Sequence, residues 1–275
     1  MTGMHQIGLL GCGLLGAALA ERFRGAGYNV LGYDAEPARC MGARSASQVA
    51  AECRRIVLCL PDSGIVHGVL DEIGSRLSPD TILIDTTTGT PESSAGLAKR
   101  YRYVDATVGG SSKVVRDRKA IVIAGGDPEL FEEARPLFDT FAERVFHVGP
   151  AGHGARMKLA MNLVLGLNRA ALSEGLAFAE AYGLDSAVAL EVFKAGPSYS
   201  AAMTAKGDKM LERNYAPEAR LKQHHKDVRL ILEAGKAWGA RLPMSSLHDR
   251  LLGEAEEMGL GDQDNSAIVE VFRSR

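Results

Sequence analysis

Short apolar runs alternate with amphipathic stretches along the first 150 residues of the chain. The runs are rich in Val and Ile and are bounded by Gly, Pro or Asp, which is typical of buried β-strands. Between several of them, as at residues 17–25 and 65–77, the apolar positions have helical spacing. This alternation predicts a parallel sheet with helices on both faces, which binds ligands at the carboxyl ends of its strands. The predicted strands are residues 5–10, 28–33, 55–60, 81–84, 101–104, 120–124 and 144–148.

The strand pattern stops near residue 150, and only helical patterns follow. Residues 153–182 have apolar side chains nearly all round the predicted helix, so we expect it to be buried on most sides, in a helical domain or at a subunit interface. We predict two domains, residues 1–150 with the sheet and residues 151–275 all-helical with one long central helix. Four more helices are predicted, at residues 186–195, 200–212, 217–238 and 243–258, with Pro217 and Pro243 in the first turns of the last two.

Composition and charge add few constraints. The 275 residues include 32 Lys and Arg against 34 Asp and Glu, a net charge of −2, which predicts no general attraction to nucleic acid or anionic membranes. Hydrophobic residues make up 46% of the chain, as is ordinary for a globular protein. No stretch has the roughly 20 apolar residues of a membrane-spanning helix. Four cysteines without a C-x-x-C pair predict reduced thiols, so we expect a cytoplasmic protein without a metal site.

A glycine-rich sequence follows the first predicted strand and opens the first predicted helix. Residues 11–16 read G-x-G-x-x-G, which in this context is the fingerprint of a Rossmann dinucleotide-binding sheet. The glycines permit a tight turn and a close approach of the pyrophosphate, which then meets the N–H groups of the helix N-terminus. The predicted cofactor-binding residues of this loop are Gly11, Cys12, Gly13, Leu14, Leu15 and Gly16.

Asp34 directly follows the second predicted strand, 18 residues beyond Gly16. A carboxylate at this place binds the ribose hydroxyls of NAD and repels a 2′-phosphate, so NAD is the predicted cofactor. Arg39 and Arg44 follow a few residues later. They leave NADP open as the alternative, because a guanidinium pairs well with phosphate.

Lys158 and Asn162 are four residues apart on the long apolar helix, so both project from one face. Polar groups are expensive on a buried helix unless they have partners or a function. Burial lowers the pKa of a lysine, which suits it to proton transfer near neutral pH. Periodicity alone leaves two interpretations open, a catalytic lysine and a structural lysine in a salt bridge between domains.

Several motifs together resemble those of the β-hydroxyacid dehydrogenase family, which includes enzymes acting on 3-hydroxyisobutyrate and tartronate semialdehyde. The glycine loop, Asp34 and G-x-G-x-x-x-K-x-x-x-N at residues 152–162 carry the resemblance. L-P-D at 60–62, D-T-T-T-G-T-P at 85–91, K-D at 226–227 and D-Q-D-N-S-A at 262–267 extend it along the chain. The resemblance implies that Lys158 is the general acid/base and that Asn162 positions the reacting oxygen. It also implies cofactor contacts by Leu60, Pro61, Thr88 and Lys226.

One motif departs from the family pattern. The family's substrate loop reads D-x-P-V-S-G-G, whereas residues 105–111 read D-A-T-V-G-G-S. The resemblance implies substrate binding by Thr107, Gly109, Gly110 and Ser111 together with Lys158 and Asn162, but the family's serine hydroxyl is missing. A basic stretch follows, which is either a solvated face or a site for a more anionic or bulkier acid; it contains Lys113, Arg116, Arg118 and Lys119.

The predicted function is reversible hydride transfer between a nicotinamide cofactor and a small 3-hydroxy acid or its semialdehyde. Two alternatives remain at this point, a non-catalytic NAD(P)-binding protein and an imine reductase-like enzyme with a different substrate. The altered loop makes the first plausible, and Lys158 argues against the second, because imine reductases replace the family's lysine. The expected partners are a small anionic hydroxy acid or semialdehyde and further copies of the chain, in a homodimer or homotetramer formed through the helical domain.

Overall fold

Seven strands form one sheet in the first part of the chain, in the order β2-β1-β3-β4-β5-β6-β7. The computed structural model describes residues 6–274, so His5 of the first predicted strand lies outside the described residues. Each predicted strand is present, and the fifth extends five residues further than the pattern predicts. The strands are β1 (Gln6–Leu10), β2 (Asn29–Tyr33), β3 (Arg55–Leu58), β4 (Ile82–Asp85), β5 (Arg102–Gly109), β6 (Ala120–Gly125) and β7 (Ala142–His147).

The sheet is parallel from β2 to β5, but β6 runs antiparallel to β5. The prediction of an all-parallel sheet is therefore wrong at this pair. Ten residues, 110–119, connect the two strands, whereas a crossover between parallel strands needs a dozen or more. β7 then pairs parallel to β6.

Helices cover both faces of the sheet. Successive residues of a strand point to opposite sides, so a strand of consecutive apolar residues has apolar side chains to bury on each face. In β1, Ile7 and Leu9 join one buried cluster with Phe23 and Phe138, while Leu10 joins a second cluster with Leu70. Both faces are therefore buried, as the continuous apolar runs in the sequence predict. The helices of this part are α1 (Leu14–Gly25), α2 (Ala46–Glu52), α3 (Ser63–Ile73), α4 (Pro91–Leu97), α5 (Ser112–Arg116) and α6 (Pro128–Phe138).

The remainder of the chain is helical. Its contacts divide the chain into two compact units, Met1–Lys158 and Leu159–Arg275, with the division inside the long helix α7. The five predicted helices are all present, and Pro243 occupies the first turn of its helix as predicted. The helices are α7 (His153–Ala181), α8 (Ser186–Ala195), α9 (Ala201–Glu212), α10 (Leu221–Ala237), α11 (Pro243–Glu257) and α12 (Val269–Arg273).

Pro217 is not in the first turn of a helix, because α10 begins four residues later at Leu221. The backbone N–H groups of Glu218 and Ala219 instead donate to the carboxylate of Asp264, at 3.0 and 3.2 Å. Arg220 forms an isolated bridge with Asp264. Pairing with the C-terminal segment therefore replaces the first helical turn that the pattern predicts.

The long helix α7 is buried less completely in the single chain than its composition predicts. Leu159, Leu172 and Leu176 are buried, but Val164 and Phe178 are more than half exposed. None of the helices within residues 6–274 combines the length and the apolar character that crossing a membrane requires.

Candidate active site

The loop between β1 and α1 has the shape that its glycines predict. Gly11 has φ +95°, and a side chain there would overlap the carbonyl oxygen of Cys59. A side chain at Gly16 would overlap the carbonyl oxygen of Gly11, so helix and strand approach closely here. Gly13 precedes the first residue of α1 and has open space where a Cβ would be. The N-terminus of α1 is therefore open to a ligand, and its N–H groups and helix dipole favour a phosphate.

Asp34 lies directly beside this loop. One carboxylate oxygen accepts a hydrogen bond from the backbone N–H of Cys12 at 2.7 Å, and the other accepts one from Glu36 at 2.9 Å. The two bonds hold the carboxylate at the carboxyl end of β2, next to the phosphate-binding loop. Arg39 and Arg44 are exposed on the segment that follows.

The loops after β3 and β4 are tied to each other at the same edge of the sheet. The hydroxyl of Thr87 accepts from the N–H of Leu60 at 3.1 Å, and the hydroxyl of Thr86 donates to the carbonyl of Leu58 at 2.7 Å. Asp85 accepts from the N–H of Thr87 and the hydroxyl of Tyr103, and burial raises its pKa. These bonds set the course of the two loops that carry the predicted cofactor residues Leu60, Pro61 and Thr88.

Strand β5 ends in the altered substrate loop. Thr107 is fully buried, and its hydroxyl lies 3.1 Å from the carbonyl oxygen of Ile123 and 3.4 Å from that of Gly154. Its side chain thus stabilises the strand and does not face an open surface. Gly109 is the last strand residue, Gly110 has φ +136°, and the hydroxyl of Ser111 accepts from the N–H of Val114 at the start of α5.

Lys158 reaches this loop from α7. Its side chain is 8% exposed, and its ammonium donates to the carbonyl oxygen of Val108 at 2.6 Å. Val108 immediately precedes Gly109, so the charge lies at the carboxyl end of β5. A buried ammonium at the end of a strand can exchange a proton with a small bound acid and stabilise a developing oxyanion.

Asp105 is a residue of this region to which the sequence pattern assigns no role. It is buried in β5 and accepts from the N–H groups of Gly152 and Ala155 at 2.9 and 2.8 Å, so it caps the N-terminus of α7. Burial raises its pKa to about 7 although both hydrogen bonds act in the opposite direction. In the sequence, Asp105 stands out only as a carboxylate within an apolar strand. Its role could not be predicted because its partners lie 47 and 50 residues away.

A second group of predicted residues meets within Leu159–Arg275. Asn162, one turn after Lys158 on α7, is buried and donates from its amide to Asp227 on α10 at 2.9 Å. The ammonium of Lys226 lies 3.1 Å from the other oxygen of Asp227. Asp227 therefore orients Asn162. The sequence analysis includes Asp227 in the K-D motif but does not predict this role.

Comparisons with known proteins find matches to both parts of the chain. Residues 6–149 match the family model described as the NAD binding domain of 6-phosphogluconate dehydrogenase. Residues 152–272 match the model described as NAD-binding of NADP-dependent 3-hydroxyisobutyrate dehydrogenase. Glyoxylate/succinic semialdehyde reductase 1 of Arabidopsis thaliana is 31% identical over 284 residues, which cover 98% of each chain. The chain belongs to the β-hydroxyacid dehydrogenase family. Family membership confirms the predicted fold class, NAD(P) binding and the oxidoreductase class.

Two more members of the β-hydroxyacid dehydrogenase family resemble the chain over nearly its whole length. The 2-(hydroxymethyl)glutarate dehydrogenase of Eubacterium barkeri is 31% identical, with 97% of this chain and 94% of the other covered. The solved structure of Mycobacterium tuberculosis 3-hydroxyisobutyrate dehydrogenase with L-serine has a TM-score of 0.86 and 25% identity, covering 98% of this chain and 100% of that one.

The basic stretch after the substrate loop makes contacts at the surface. Lys113 pairs with Asp117 at 2.6 Å, and Arg116 pairs with Glu21 at 2.7 Å, all with exposed side chains. The Arg118 guanidinium donates to the carbonyl of Asp139. These surface contacts favour the solvated-face interpretation over a pocket for a more anionic acid.

Proposed function

We propose that the chain transfers hydride between NAD and a small 3-hydroxy acid or its semialdehyde, with Lys158 as the general acid/base. The observation that carries this proposal is the buried Lys158 ammonium, 2.6 Å from the carbonyl of Val108 at the sheet edge where the glycine loop also lies. The names of two relatives support the substrate class, because a semialdehyde reductase and a hydroxymethylglutarate dehydrogenase both act on a small acid with a second oxygen-bearing carbon.

The proposed chemistry assigns one task to each group. Bound nicotinamide accepts or supplies the hydride. In the oxidation direction, neutral Lys158 takes the proton of the substrate hydroxyl. In reduction, its ammonium gives that proton back, and its charge stabilises the alkoxide that develops. Asn162 holds the same oxygen and is itself oriented by Asp227.

The backbone at the end of β5 is the proposed carboxylate binder. Gly109 has no hydroxyl to offer, so the N–H groups of residues 109–111 and the Ser111 hydroxyl would hold the acid. The Ser111 oxygen accepts from Val114, which leaves its proton available for a carboxylate oxygen. Thr107 has no part in this proposal, since its hydroxyl faces two buried carbonyls.

The glycine loop and Asp34 fit a dinucleotide, and Asp34 supports NAD over NADP. The carboxylate is held by two backbone N–H groups and keeps oxygen lone pairs for the ribose hydroxyls. A 2′-phosphate at the same place would meet like charge. Cofactor contacts by Pro61, Thr88 and Lys226 are part of the same proposal.

The two halves of the chain have separate tasks in this proposal. Residues 1–150 bind the nucleotide, and residues 151–275 contribute to substrate binding and to association between copies. Exposed apolar side chains on α7 and α8 support association, because large apolar patches on a soluble surface mark interaction sites. The cytoplasmic location remains a prediction.

Replacing Lys158 tests the proposed acid/base. We expect Lys158→Ala to lower kcat by about 10³-fold, because it removes the proton-transferring group. NADH binding, measured by fluorescence, should stay within twofold, since the ammonium of Lys158 bonds the substrate loop at Val108. Lys113→Ala, which removes an exposed lysine of an ion pair, is the matched control and should retain activity.

The substrates for this test are glyoxylate, succinic semialdehyde, 2-(hydroxymethyl)glutarate, 3-hydroxyisobutyrate and a cyclic imine, each with both cofactors. Near-full turnover by Lys158→Ala would contradict the assignment of Lys158. Tight NADH binding without turnover of any compound would favour the non-catalytic alternative. Reduction of the imine alone would favour the imine reductase alternative.

A further inference from the structure

Residues 34–40 form a loop that leaves the end of strand β2 and returns to it. Behind the loop, Met41 pairs with Gly32 of β2 through two backbone hydrogen bonds. The N–H of Gly32 donates to the carbonyl of Met41 at 2.9 Å, and the N–H of Met41 donates to the carbonyl of Gly32 at 2.8 Å. Asp34 opens this loop and Cys40 closes it, so the two residues meet at the end of the strand.

The thiol of Cys40 contacts both backbone polar groups of Asp34. Its sulfur accepts a hydrogen bond from the N–H of Asp34 at 3.4 Å, and its S–H donates to the carbonyl oxygen of the same residue at 3.3 Å. Cys40 is a free cysteine and is partly buried. A thiol is a weak donor and a weak acceptor, but bonds to the N–H and the C=O of one residue restrict both of its backbone torsions.

Cys12 of the glycine loop bonds the neighbouring atoms. Its backbone N–H donates to the Asp34 carboxylate at 2.7 Å, and its thiol donates to the carbonyl oxygen of Tyr33 at 3.6 Å. The Tyr33 oxygen and the Asp34 nitrogen belong to one peptide group. The thiols of Cys12 and Cys40 therefore contact the two polar atoms of the peptide that leads into Asp34.

The backbone of Asp34 controls where its carboxylate lies, because only two torsions separate them. Hydrogen bonds weaken steeply when the distance or the angle departs from the preferred range. A carboxylate that bonds ribose hydroxyls is therefore sensitive to a small displacement of its backbone. Cys40 contacts that backbone directly, whereas Cys12 and Glu36 hold the carboxylate itself.

We propose that Cys40 is a specificity-determining positioning residue, whose thiol holds the backbone of Asp34 so that the carboxylate meets the ribose hydroxyls of NAD. This inference rests on the proposed function, in which Asp34 binds that ribose. NADPH carries a 2′-phosphate in place of one hydroxyl, so its binding gains little from a well-placed carboxylate. Loss of the thiol therefore weakens NADH binding more than NADPH binding.

Replacing Cys40 by alanine and by serine in the intact protein tests the proposal. We expect Cys40→Ala to raise the Kd of NADH about fivefold and the Kd of NADPH less than about twofold, as measured by fluorescence titration. Cys40→Ser should bring the NADH Kd to within about twofold of the wild type, because a hydroxyl also donates and accepts. Cys53→Ala, which removes a buried thiol packed in another cluster, is the matched control and should leave both Kd values unchanged.

A double variant separates positioning of Asp34 from a general effect on the fold. In Asp34→Ser there is no carboxylate to position, so adding Cys40→Ala should change the NADH Kd by less than about twofold. A similar loss of NADH binding with and without Asp34 would overturn the proposal. So would equal losses of NADH and NADPH binding in Cys40→Ala, or equal effects of alanine and serine at Cys40.

The same titrations distinguish failure of this inference from failure of the proposed function. If Asp34→Ser weakens NADH binding but Cys40→Ala leaves the NADH Kd unchanged, only the role of Cys40 is wrong. If Asp34→Ser alone leaves the NADH Kd unchanged, the proposed role of Asp34 is wrong, and the role of Cys40 falls with it.

Discussion

Asp34 illustrates how backbone contacts prepare one side chain for a ligand. Its oxygens accept from the N–H groups of Cys12 and Glu36, so the carboxylate is already oriented beside the glycine loop. Ordering it on binding then costs little conformational entropy. The preference for NAD that we propose therefore depends on this carboxylate being both charged and held in place.

Asp34→Ser should weaken NAD binding about tenfold and improve NADP binding, because it removes two ribose hydrogen bonds and the like charge that opposes a 2′-phosphate. Fluorescence titration with NADH and NADPH gives both Kd values. Glu36→Gln is the control, since it changes a neighbouring charge and keeps the backbone N–H that bonds Asp34. An unchanged ratio of the two Kd values in Asp34→Ser would remove the basis for the NAD preference.

Residues with a local signature could be predicted from the sequence, and residues defined by distant partners could not. The glycine loop follows a strand, and Lys158 and Asn162 are an i, i+4 pair, so each has a short-range signal. Asp105 bonds residues 47 and 50 positions away, and Asn162 bonds Asp227 at a separation of 65. Thr107 occupies a motif position, but only the folded chain shows that its hydroxyl faces buried carbonyls.

At the scale of elements, Asp105 links strand β5 to helix α7. Its carboxylate caps α7 through Gly152 and Ala155, and one turn later Lys158 returns to β5 at Val108. These bonds join the helix to the strand on both sides of the first turn. The position of the Lys158 ammonium therefore depends on the cap.

The raised pKa of Asp105 makes this link dependent on pH. An unfolded chain has a carboxyl pKa near 4, and the folded value is about 7, so the folded state holds more protons between these values. The contribution of Asp105 to stability is then greatest below about pH 4 and declines as pH rises to about 7. Asp105→Asn cannot ionise, so the stability advantage of the wild type over this variant should shrink from pH 5 to pH 8.

Urea unfolding of both proteins at pH 5, 6, 7 and 8 measures that advantage, and taking the difference cancels the titrating groups that do not interact with Asp105. Asp105→Asn should also be less stable than the wild type at pH 5 by about 1 kcal/mol, because an amide cannot accept both N–H groups equally well. A difference in unfolding free energy that stays constant across these pH values would contradict a folded pKa near 7.

The order and type of the elements follow from periodicity, but strand direction and helix starts depend on longer-range geometry. The apolar run of β6 reads like the others, and its antiparallel direction follows from the ten-residue connection after β5. Pro217 reads as a helix start, and the start moves to Leu221 because Asp264 takes the backbone donors before it. The strand direction and the helix start therefore both depend on features that lie outside the short stretch of sequence from which each element is predicted.

At the scale of the whole molecule, the helical unit exposes several large apolar side chains. Phe178 and Tyr182 stack on each other at the end of α7, with ring centroids 5.7 Å apart. Val188 and Val192 are both 62% exposed and lie one turn apart on α8. We call these four residues the α7–α8 patch. All four side chains are more than 60% exposed in the single chain, so a second copy is the partner that we propose for them.

Light scattering after size exclusion tests this association. We expect the wild type to have the mass of at least two chains and Val188→Glu/Val192→Glu to have the mass of one, because two carboxylates in an apolar interface lose their hydration without a partner. The variant should keep its fold, since both positions are exposed in the single chain. Arg241→Glu, which adds negative charge at another exposed position of the helical unit, is the control and should keep the wild-type mass. An oligomeric double variant would exclude the α7–α8 patch as the interface, and a monomeric wild type would exclude the association itself.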